Sequence, residues 1–307
     1  MPLTSGPTET GSTRAVPTTT ARCYSGFGLT IASELDIPGA AECREAAAPV
    51  DLTVRLQSVA LPPDAALCPP YRQAGDMLEL TVPGVGRYTL VGRSTLHVEP
   101  EPGVSPTDCS ALLVASGLPM ALWARGGLLL HASAAIWPGA AGCLAIAGPS
   151  KAGKSLLLEH LVKAGARCVA DDSVWIREQD GGLIAAGLPG GTYSRSAPDR
   201  DRTFLPFAAA QSCGAAPLAG IVFLRPTAQP PGLVSLTGSN SVQTLLRHRH
   251  RPNVPHLLGT EAQAFVLCGL LCSQVPMYAL NFDPRDLQPT LALLQAWNEN
   301  LTIQGKG

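Results

Sequence analysis

Charge is scarce in this sequence, and neither sign dominates. Only 15% of the 307 residues are charged, and the formal net charge is −1. A nearly neutral chain gives no electrostatic basis for binding nucleic acid or an anionic membrane surface, so we expect neither as a partner. Hydrophobic residues make up 46%, which is enough for a substantial core in one large domain or two smaller ones.

Long hydrophobic runs are also missing. A membrane-spanning helix needs about 18 or more consecutive apolar residues, and no such uninterrupted run occurs, so we expect no membrane span. The N-terminus lacks a basic region followed by an apolar core, which gives no indication of a signal peptide. We therefore expect a cytoplasmic protein.

The cysteines form no disulfide or metal framework. Nine are spaced irregularly, at positions 23, 43, 68, 109, 143, 168, 213, 268 and 272. Cys268 and Cys272 can share a helix face, but no nearby Cys or His pair completes a zinc site. An odd number of cysteines in a chain of this size predicts buried, free thiols in a reducing compartment.

Composition divides the chain into four predicted regions. Residues 1–22 are rich in Thr, Ser, Gly and Pro and predict a disordered leader. Residues 23–106 contain short β-branched or aromatic runs punctuated by Gly and Pro, which predict a small, mostly antiparallel β domain. Residues 107–300 mix strand and helix patterns and predict an α/β sheet domain, followed by a tail at 301–307.

Several elements of the α/β region can be placed. The stretch "SPTDCSALLVASGLPMALWARGG" predicts a helix that Thr107 or Asp108 caps and Pro119 kinks or splits. "LLLHASAAIW" and "CLAIAG" predict two strands, and "KSLLLEHLVKAG" predicts a helix that ends at Gly165. "RCVADD", "LAGIVFLRP" and "MYALNFDP" predict further strands before a final helix, "LQPTLALLQAWNEN".

The stretch "GPSKAGKS" has the G-x-x-x-x-G-K-[ST] spacing of a phosphate-binding loop. Its glycines allow the backbone to wrap closely around phosphate oxygens, and the following helix adds its positive N-terminal end. It follows an apolar strand and opens a helix, which is the context that this motif needs. Lys154 is predicted to reach the β- and γ-phosphates of ATP, and Ser155 to ligate Mg²⁺. The predicted nucleotide site is Gly148, Pro149, Ser150, Lys151, Ala152, Gly153, Lys154 and Ser155.

Two adjacent acids follow the next strand. "VADD" places Asp171 and Asp172 at the carboxyl end of the strand after the loop helix, where ligands bind in open α/β sheets. We expect both carboxylates to face the phosphates. One can hold Mg²⁺, directly or through water, and the other can accept the proton of an attacking hydroxyl.

These motifs resemble the catalytic core of the HPr serine kinase/phosphorylase superfamily. The resemblance covers "LLLHASAAIW", the phosphate loop, its helix and "VADD", about residues 127 to 177, and fits more loosely beyond them. It implies a P-loop α/β fold related to phosphoenolpyruvate carboxykinase and transfer of a phosphoryl group from ATP to a serine hydroxyl. The β-rich region also resembles stand-alone HPr-kinase-like proteins associated with lasso peptide gene clusters.

The resemblance implies roles for individual residues. Lys154 and Ser155 match the phosphate and Mg²⁺ residues, Asp172 the general base, and Asp171 its acidic neighbour and a metal ligand. His131 matches the active-site histidine at the end of the strand before the hairpin. The downstream stretch "GGLIAAGLPGGTYSRSAPDRDR" contains no Glu that matches the family's acidic Mg²⁺ ligand, so we do not expect a bifunctional HPr kinase/phosphorylase.

The favoured interpretation is an ATP- and Mg²⁺-dependent serine kinase acting on a ribosomally made precursor peptide with a serine at or near its C-terminus. A kinase for a small molecule such as free serine, or a nucleotide-binding regulator without transfer activity, are the alternatives. A homo-oligomer is possible because members of the resembled superfamily often assemble. At least one arginine is expected to stabilise the transferring group, from among Arg195, Arg200, Arg202, Arg247, Arg249 and Arg251.

Overall fold

The structure is a computed structural model that describes residues 20–43, 49–194 and 203–304. Within these ranges the chain is a mixed α/β protein built on two large sheets. Most of the predicted leader and the end of the predicted tail lie outside the described residues, as do Arg195, Arg200 and Arg202.

The first sheet is built from the N-terminal part of the chain. Its strands are β1 (Arg22–Gly26), β2 (Leu29–Ser33), β3 (Ala41–Glu42), β4 (Leu52–Leu56), β5 (Ala66–Cys68), β6 (Tyr71–Ala74), β7 (Met77–Val82), β8 (Gly86–Val91) and β9 (Thr95–Pro100). They are ordered β3-β1-β2-β4-β9-β8-β7-β6-β5. Antiparallel pairing predominates, but β4 runs parallel to both β2 and β9. These strands alternate between buried and more exposed side chains, as expected when one face of a sheet covers a core.

The second sheet belongs to the remainder of the chain. The strands there are β10 (Leu128–Leu130), β11 (Ala132–Ile136), β12 (Cys143–Ala147), β13 (Arg167–Ala170), β14 (Val174–Gln179), β15 (Gly182–Ala186), β16 (Gly191–Ser194), β17 (Thr203–Pro206), β18 (Ala215–Pro226), β19 (Gly232–Leu236) and β20 (Met277–Phe282). The main order is β10-β14-β15-β18-β12-β11-β13, with β20 paired to β18 and β19. Strands β16 and β17 form a separate hairpin.

The helices lie between and after these strands. They are α1 (Pro106–Leu112), α2 (Leu118–Ala124), α3 (Lys154–Lys163), α4 (Ser239–Arg247), α5 (Val254–Leu257), α6 (Glu261–Gln274) and α7 (Gln288–Gln304). A π-helical segment, Leu113–Gly117, joins α1 to α2, and a 3-10 turn spans Ala209–Gln211. Ser105 caps α1 through its side chain, so the predicted caps Thr107 and Asp108 were wrong. The helix begins at Pro106, which is favoured at the first helical position, and the capping residue is therefore the one before it.

The π-helical segment has a local cause. Pro119 lacks the N–H that an α-helix would donate to the carbonyl of Ala115. Arg251 supplies the replacement, because its Nε and Nη2 lie 3.2 and 2.9 Å from that oxygen. The predicted interruption at Pro119 is therefore present, as a change of helix type that an arginine from a distant segment stabilises.

A single helical stretch among the described residues is long and apolar enough to cross a membrane, which the sequence analysis did not anticipate. It is Pro106–Ala124, whose mean hydropathy is 1.2. The structure buries 72% of that window inside the protein. This burial is that of a core helix, and it accounts for the apolar composition without a membrane.

The buried side chains form two clusters. One contains residues of the first sheet, the α1–α2 stretch and α6, including Tyr88, Trp123 and Leu271. The other packs α3 and α7 against the second sheet, with Leu157, Leu161 and Phe282 among its members. Because the first cluster joins both sides of the boundary predicted at residue 106, that boundary stays a prediction.

The cysteines are all free in the structure. Cys109, Cys143, Cys168 and Cys268 are buried, and burial raises the pKa of Cys143 to about 12. Cys23, Cys43, Cys68, Cys213 and Cys272 are only partly buried, so the prediction of buried thiols is confirmed for the four buried cysteines and was wrong for these five. Among the described residues, no group of three or more His, Cys, Asp or Glu side chains is arranged to hold a metal ion.

Candidate active site

The predicted phosphate loop connects β12 to α3. Gly153 has a φ of +99°, in the left-handed region that favours glycine, and a Cβ there would lie 3.4 Å from the ring of Phe282. A Cβ on Gly148 would lie 3.1 Å from the Cβ of Leu224. The two glycines of the motif are thus needed by backbone conformation and by close packing. The loop presents the N-terminal end of α3, whose partial positive charge favours a bound anion.

Lys154 lies in the loop itself. Its side chain is buried, and its Nζ donates hydrogen bonds to the carbonyl oxygens of Gly148 and Pro149, at 3.0 and 3.1 Å. These contacts hold the ammonium group at the place where the motif predicts the phosphates. Its charge also contributes to lowering the pKa of Asp172.

Asp171 connects the loop helix to two other elements. Its Oδ1 accepts hydrogen bonds from Ser133 Oγ at 2.6 Å and from Ser155 Oγ at 3.0 Å. Its Oδ2 accepts one from Thr192 Oγ1 at 2.5 Å. These hydroxyls come from β11, α3 and β16, so the carboxylate is fixed from three sides.

The pairing of Ser155 with Asp171 suits a magnesium ion. Hydroxyl and carboxylate oxygens are the ligands that Mg²⁺ prefers, and it commonly takes few protein ligands and completes its shell with water and substrate phosphates. The two oxygens adjoin the phosphate loop, where a nucleotide would supply the remainder. The predicted metal residues, Ser155 and Asp171, are therefore in contact and chemically appropriate.

Asp172 takes the left-handed backbone conformation, with a φ of +65°. Aspartate tolerates this region better than most residues, but strained backbone of this kind is concentrated at functional sites. Its Oδ1 lies 3.4 Å from His131 Nε2. Burial raises the pKa of Asp172. The contact with His131 and the charges of nearby histidines and Lys154 lower it by more than burial raises it, so the net pKa is well below the usual range. The carboxylate is ionised at neutral pH.

His131 lies at a break between strands. The sequence predicted one strand through "LLLHASAAIW", but β10 pairs with β14 and β11 pairs with β12 and β13. His131 is the residue between β10 and β11. The single predicted strand was wrong because its two halves belong to different neighbours, and the break turns His131 toward Asp172.

Two histidines that the sequence analysis did not single out lie beside His131. The carbonyl of His248 accepts a hydrogen bond from the His131 N–H at 2.9 Å, and the ring of His250 stacks on that of His131 with centroids 5.3 Å apart. His250 Nδ1 is 2.7 Å from the hydroxyl of Ser173. Burial lowers the pKa of both His248 and His250 to about 4, so both are neutral at pH 7.

The arginines of "RHRHRP" have other contacts. Arg249 contacts Glu261 and the Leu246 carbonyl, and Arg251 holds the π-helical segment. Arg247 lies in the last turn of α4. Among the described residues, no arginine lines the cavity at the phosphate loop. The expectation of an arginine at the site now rests on Arg195, Arg200 and Arg202, which lie outside the described residues.

The site opens into a cavity of about 520 Å³. The loop, the two aspartates and His131 line it. Apolar side chains, including those of Val114, Leu188 and Phe204, line it as well. The volume falls within the range of about 300–1,000 Å³ that is usual for small-molecule and cofactor sites.

Comparisons with known proteins add a likeness of fold. No protein-family model and no curated protein matches the chain. The chain is structurally similar to the Hpr(Ser) kinase/phosphatase from Coxiella burnetii, with 14% sequence identity, 58% of this chain and 93% of that chain covered, and a TM-score of 0.37. Because identity and TM-score are both low, the proposals below depend on the residues of the site.

Proposed function

We propose that this protein is an ATP-dependent kinase that transfers a phosphoryl group to a hydroxyl acceptor. The observation that supports this most is the convergence of Lys154, the Ser155–Asp171 pair and Asp172 at one end of a phosphate loop. A loop that only retained a nucleotide would not need a second ionised carboxylate beside it. Kinases do need one, because the acceptor hydroxyl must lose its proton.

The residues divide the transfer step between them. Lys154 and the backbone of residues 148–155 would hold the β- and γ-phosphates, and Ser155 and Asp171 would hold Mg²⁺, which would neutralise developing charge on the phosphates. The acceptor hydroxyl gives its proton to Asp172, and its oxygen bonds to the γ-phosphorus. The bond from that phosphorus to the bridging oxygen breaks, leaving ADP and a phosphorylated acceptor. Since the pKa of Asp172 is low, it then releases the proton to water.

His131 is proposed to orient the base. Its Nε2 faces Asp172 Oδ1, while its backbone N–H and ring are held by His248 and His250. This arrangement keeps the Asp172 carboxylate in one orientation, which is the contribution that positioning makes to phosphoryl transfer.

The acceptor that we propose is a serine at or near the C-terminus of a ribosomally made precursor peptide, in lasso-peptide-type tailoring. The resemblance of the sequence to stand-alone HPr-kinase-like proteins motivates this choice. The "GGLIAAGLPGGTYSRSAPDRDR" stretch has no Glu to match the family's acidic Mg²⁺ ligand, which argues against the phosphorylase reaction. A cytoplasmic location is part of the same proposal.

The test is a transfer assay with Mg-ATP and mass spectrometry. The acceptors are a lasso precursor peptide ending in Ser, the same peptide with that Ser changed to Ala, and free serine. We expect a phosphoryl group only on the Ser peptide. Asp172→Asn should reduce the rate by about 100-fold or more, because it removes the base.

Asp180→Asn is the matched control. Asp180 also has a positive φ, +52°, but lies exposed in the turn between β14 and β15. It should therefore reproduce the backbone effect of an Asp→Asn change without the loss of transfer. Full activity in Asp172→Asn would refute its role, phosphoserine would indicate a small-molecule kinase, and ATP binding without any transfer would indicate a regulator.

A further inference from the structure

The residues that line the catalytic cavity fall into two chemically different groups. The ionisable group, among the described residues, is His131, Lys151, Lys154, Asp171, Asp172 and the phenol of Tyr193. The apolar group, called here the apolar wall, is Pro38, Val114, Ala115, Leu188, the ring of Tyr193 and Phe204. A phosphate donor alone would not require an extended apolar surface next to the general base.

The apolar wall is assembled from segments far apart in the sequence. Pro38 follows β2 of the first sheet, Val114 and Ala115 lie in the π-helical segment, and Phe204 belongs to β17. The rings of Tyr193 and Phe204 meet edge to face with centroids 5.2 Å apart. The N–H of Gly190 donates to the carbonyl of Gly39 at 2.8 Å, which fixes the first sheet against the hairpin. The wall is therefore a built surface held by backbone contacts.

The apolar wall begins beside the proposed base. Tyr193 follows Thr192, whose hydroxyl donates to Asp171 Oδ2 at 2.5 Å, and the Tyr193 ring lines the same cavity as Asp172. A group that lies on the wall thus has its hydroxyl within the region of Asp172. This position favours an acceptor subsite over a site for the nucleotide base.

The carboxylates that could pair with a cationic acceptor already have other partners. The carboxylates among the described lining residues are Asp171 and Asp172. Asp171 accepts three hydroxyl hydrogen bonds, and Asp172 faces His131. An α-ammonium group next to the acceptor hydroxyl, as in free serine, would lose its hydration without gaining a carboxylate, which is unfavourable.

We propose that the apolar wall is the acceptor subsite, and that it binds a peptide segment whose residues next to the phosphorylated serine are apolar and uncharged. This inference rests on the kinase function proposed above. Burial of apolar side chains against Val114, Leu188 and Phe204 would supply the binding energy, and the peptide bond would remove the α-ammonium charge. The wall thereby selects peptides over the free amino acid.

The test compares two peptides of equal length that carry one serine at the penultimate position. One has Leu and Phe before the serine, and the other has Lys and Glu. We expect kcat/KM to be at least about tenfold higher for the apolar peptide, since one buried apolar side chain is worth about that factor or more. Phe204→Ala should raise KM for the apolar peptide about tenfold, whereas Phe204→Leu should have a KM close to that of the unmodified protein. Both variants should leave the Kd for ATP unchanged.

Phe265→Ala is the matched control, because Phe265 is 58% exposed on α6 and does not line the cavity. It should change neither constant. Equal use of both peptides, or a Phe204→Ala variant that loses ATP affinity with unchanged peptide KM, would overturn the acceptor subsite. The second result would indicate a site for the nucleotide base.

Failure of the kinase proposal can be recognised separately. Peptide binding is measured by calorimetry on the Asp172→Asn variant with Mg-ATP, where turnover is not needed. Preferential binding of the apolar peptide without transfer in the unmodified protein would keep the subsite and reject the kinase. Transfer with no preference would keep the kinase and reject the subsite.

Discussion

The link between Arg251 and the π-helical segment leads to a quantitative prediction. Arg251 donates two hydrogen bonds, at 2.9 and 3.2 Å, to the Ala115 carbonyl that Pro119 leaves without its helical donor. Hydrogen bonds from a charged group contribute about 1.5–3 kcal/mol, and a buried carbonyl left unpaired costs about 1–3 kcal/mol. We therefore expect Arg251→Met, which keeps much of the apolar stem, to lower the free energy of unfolding by about 2–3 kcal/mol.

Replacing the proline tests the cause. In Pro119→Ala the new N–H can donate to the Ala115 carbonyl, so the arginine becomes partly redundant. The cost of Arg251→Met should then fall by at least about 1 kcal/mol in the Pro119→Ala background. Urea unfolding of the four proteins of this double-mutant cycle measures the coupling. Additive effects would refute the compensation between Arg251 and Pro119.

Two further predictions concern the site. Burial lowers the pKa of His248 and His250 from 6.5 to about 4. Between these two pH values the unfolded chain binds more protons than the folded protein, so the free energy of unfolding should fall as the pH drops from 6.5 toward 4. The loss should be at most about 3 kcal/mol per histidine, and less after solvent screening. Urea unfolding at pH 7 and pH 4.5 tests this, and His250→Gln should flatten the dependence; an unchanged slope would contradict it. Thr192→Val removes a hydrogen bond to Asp171, and it should raise the Mg²⁺ concentration for half-maximal activity about tenfold, as loss of outer-shell partners does. A Mg²⁺ titration at saturating ATP measures this, and an unchanged midpoint would count against Asp171 as a metal ligand.

The sequence was sufficient to place the parts of the site that lie close together along the chain. The loop at 148–155, the helix after it and the two acids after β13 form one local unit, whose spacing is set by loop chemistry and helix length. Gly153 and Gly165 both have positive φ angles, as their positions in the motif and at the helix end require. Such local constraints can be predicted from the sequence because they do not depend on residues far away along the chain.

Other residues of the site are brought together by tertiary contacts, so the sequence alone could not predict them. In "RHRHRP" the arginines were predicted candidates for stabilising the transferring group. The structure instead places His248 and His250 beside His131. This segment is a turn after α4 and not a strand, so its alternating residues did not indicate which of them would lie beside His131. Nothing in the sequence indicated Ser133 and Thr192, because their hydrogen bonds to Asp171 come from β11 and β16, two strands that belong to different sheets.

The first sheet bears directly on how the site is understood. No site residue was assigned to it from the sequence. The structure shows its Pro38–Gly39 turn lining the cavity at the phosphate loop, and its core is continuous with that of the α/β part. Under the acceptor-subsite proposal, the phosphate loop supplies the chemistry, while the first sheet and the π-helical segment set which hydroxyl can reach Asp172. Substrate choice could then diverge through residues of the wall while the loop and acids stay fixed.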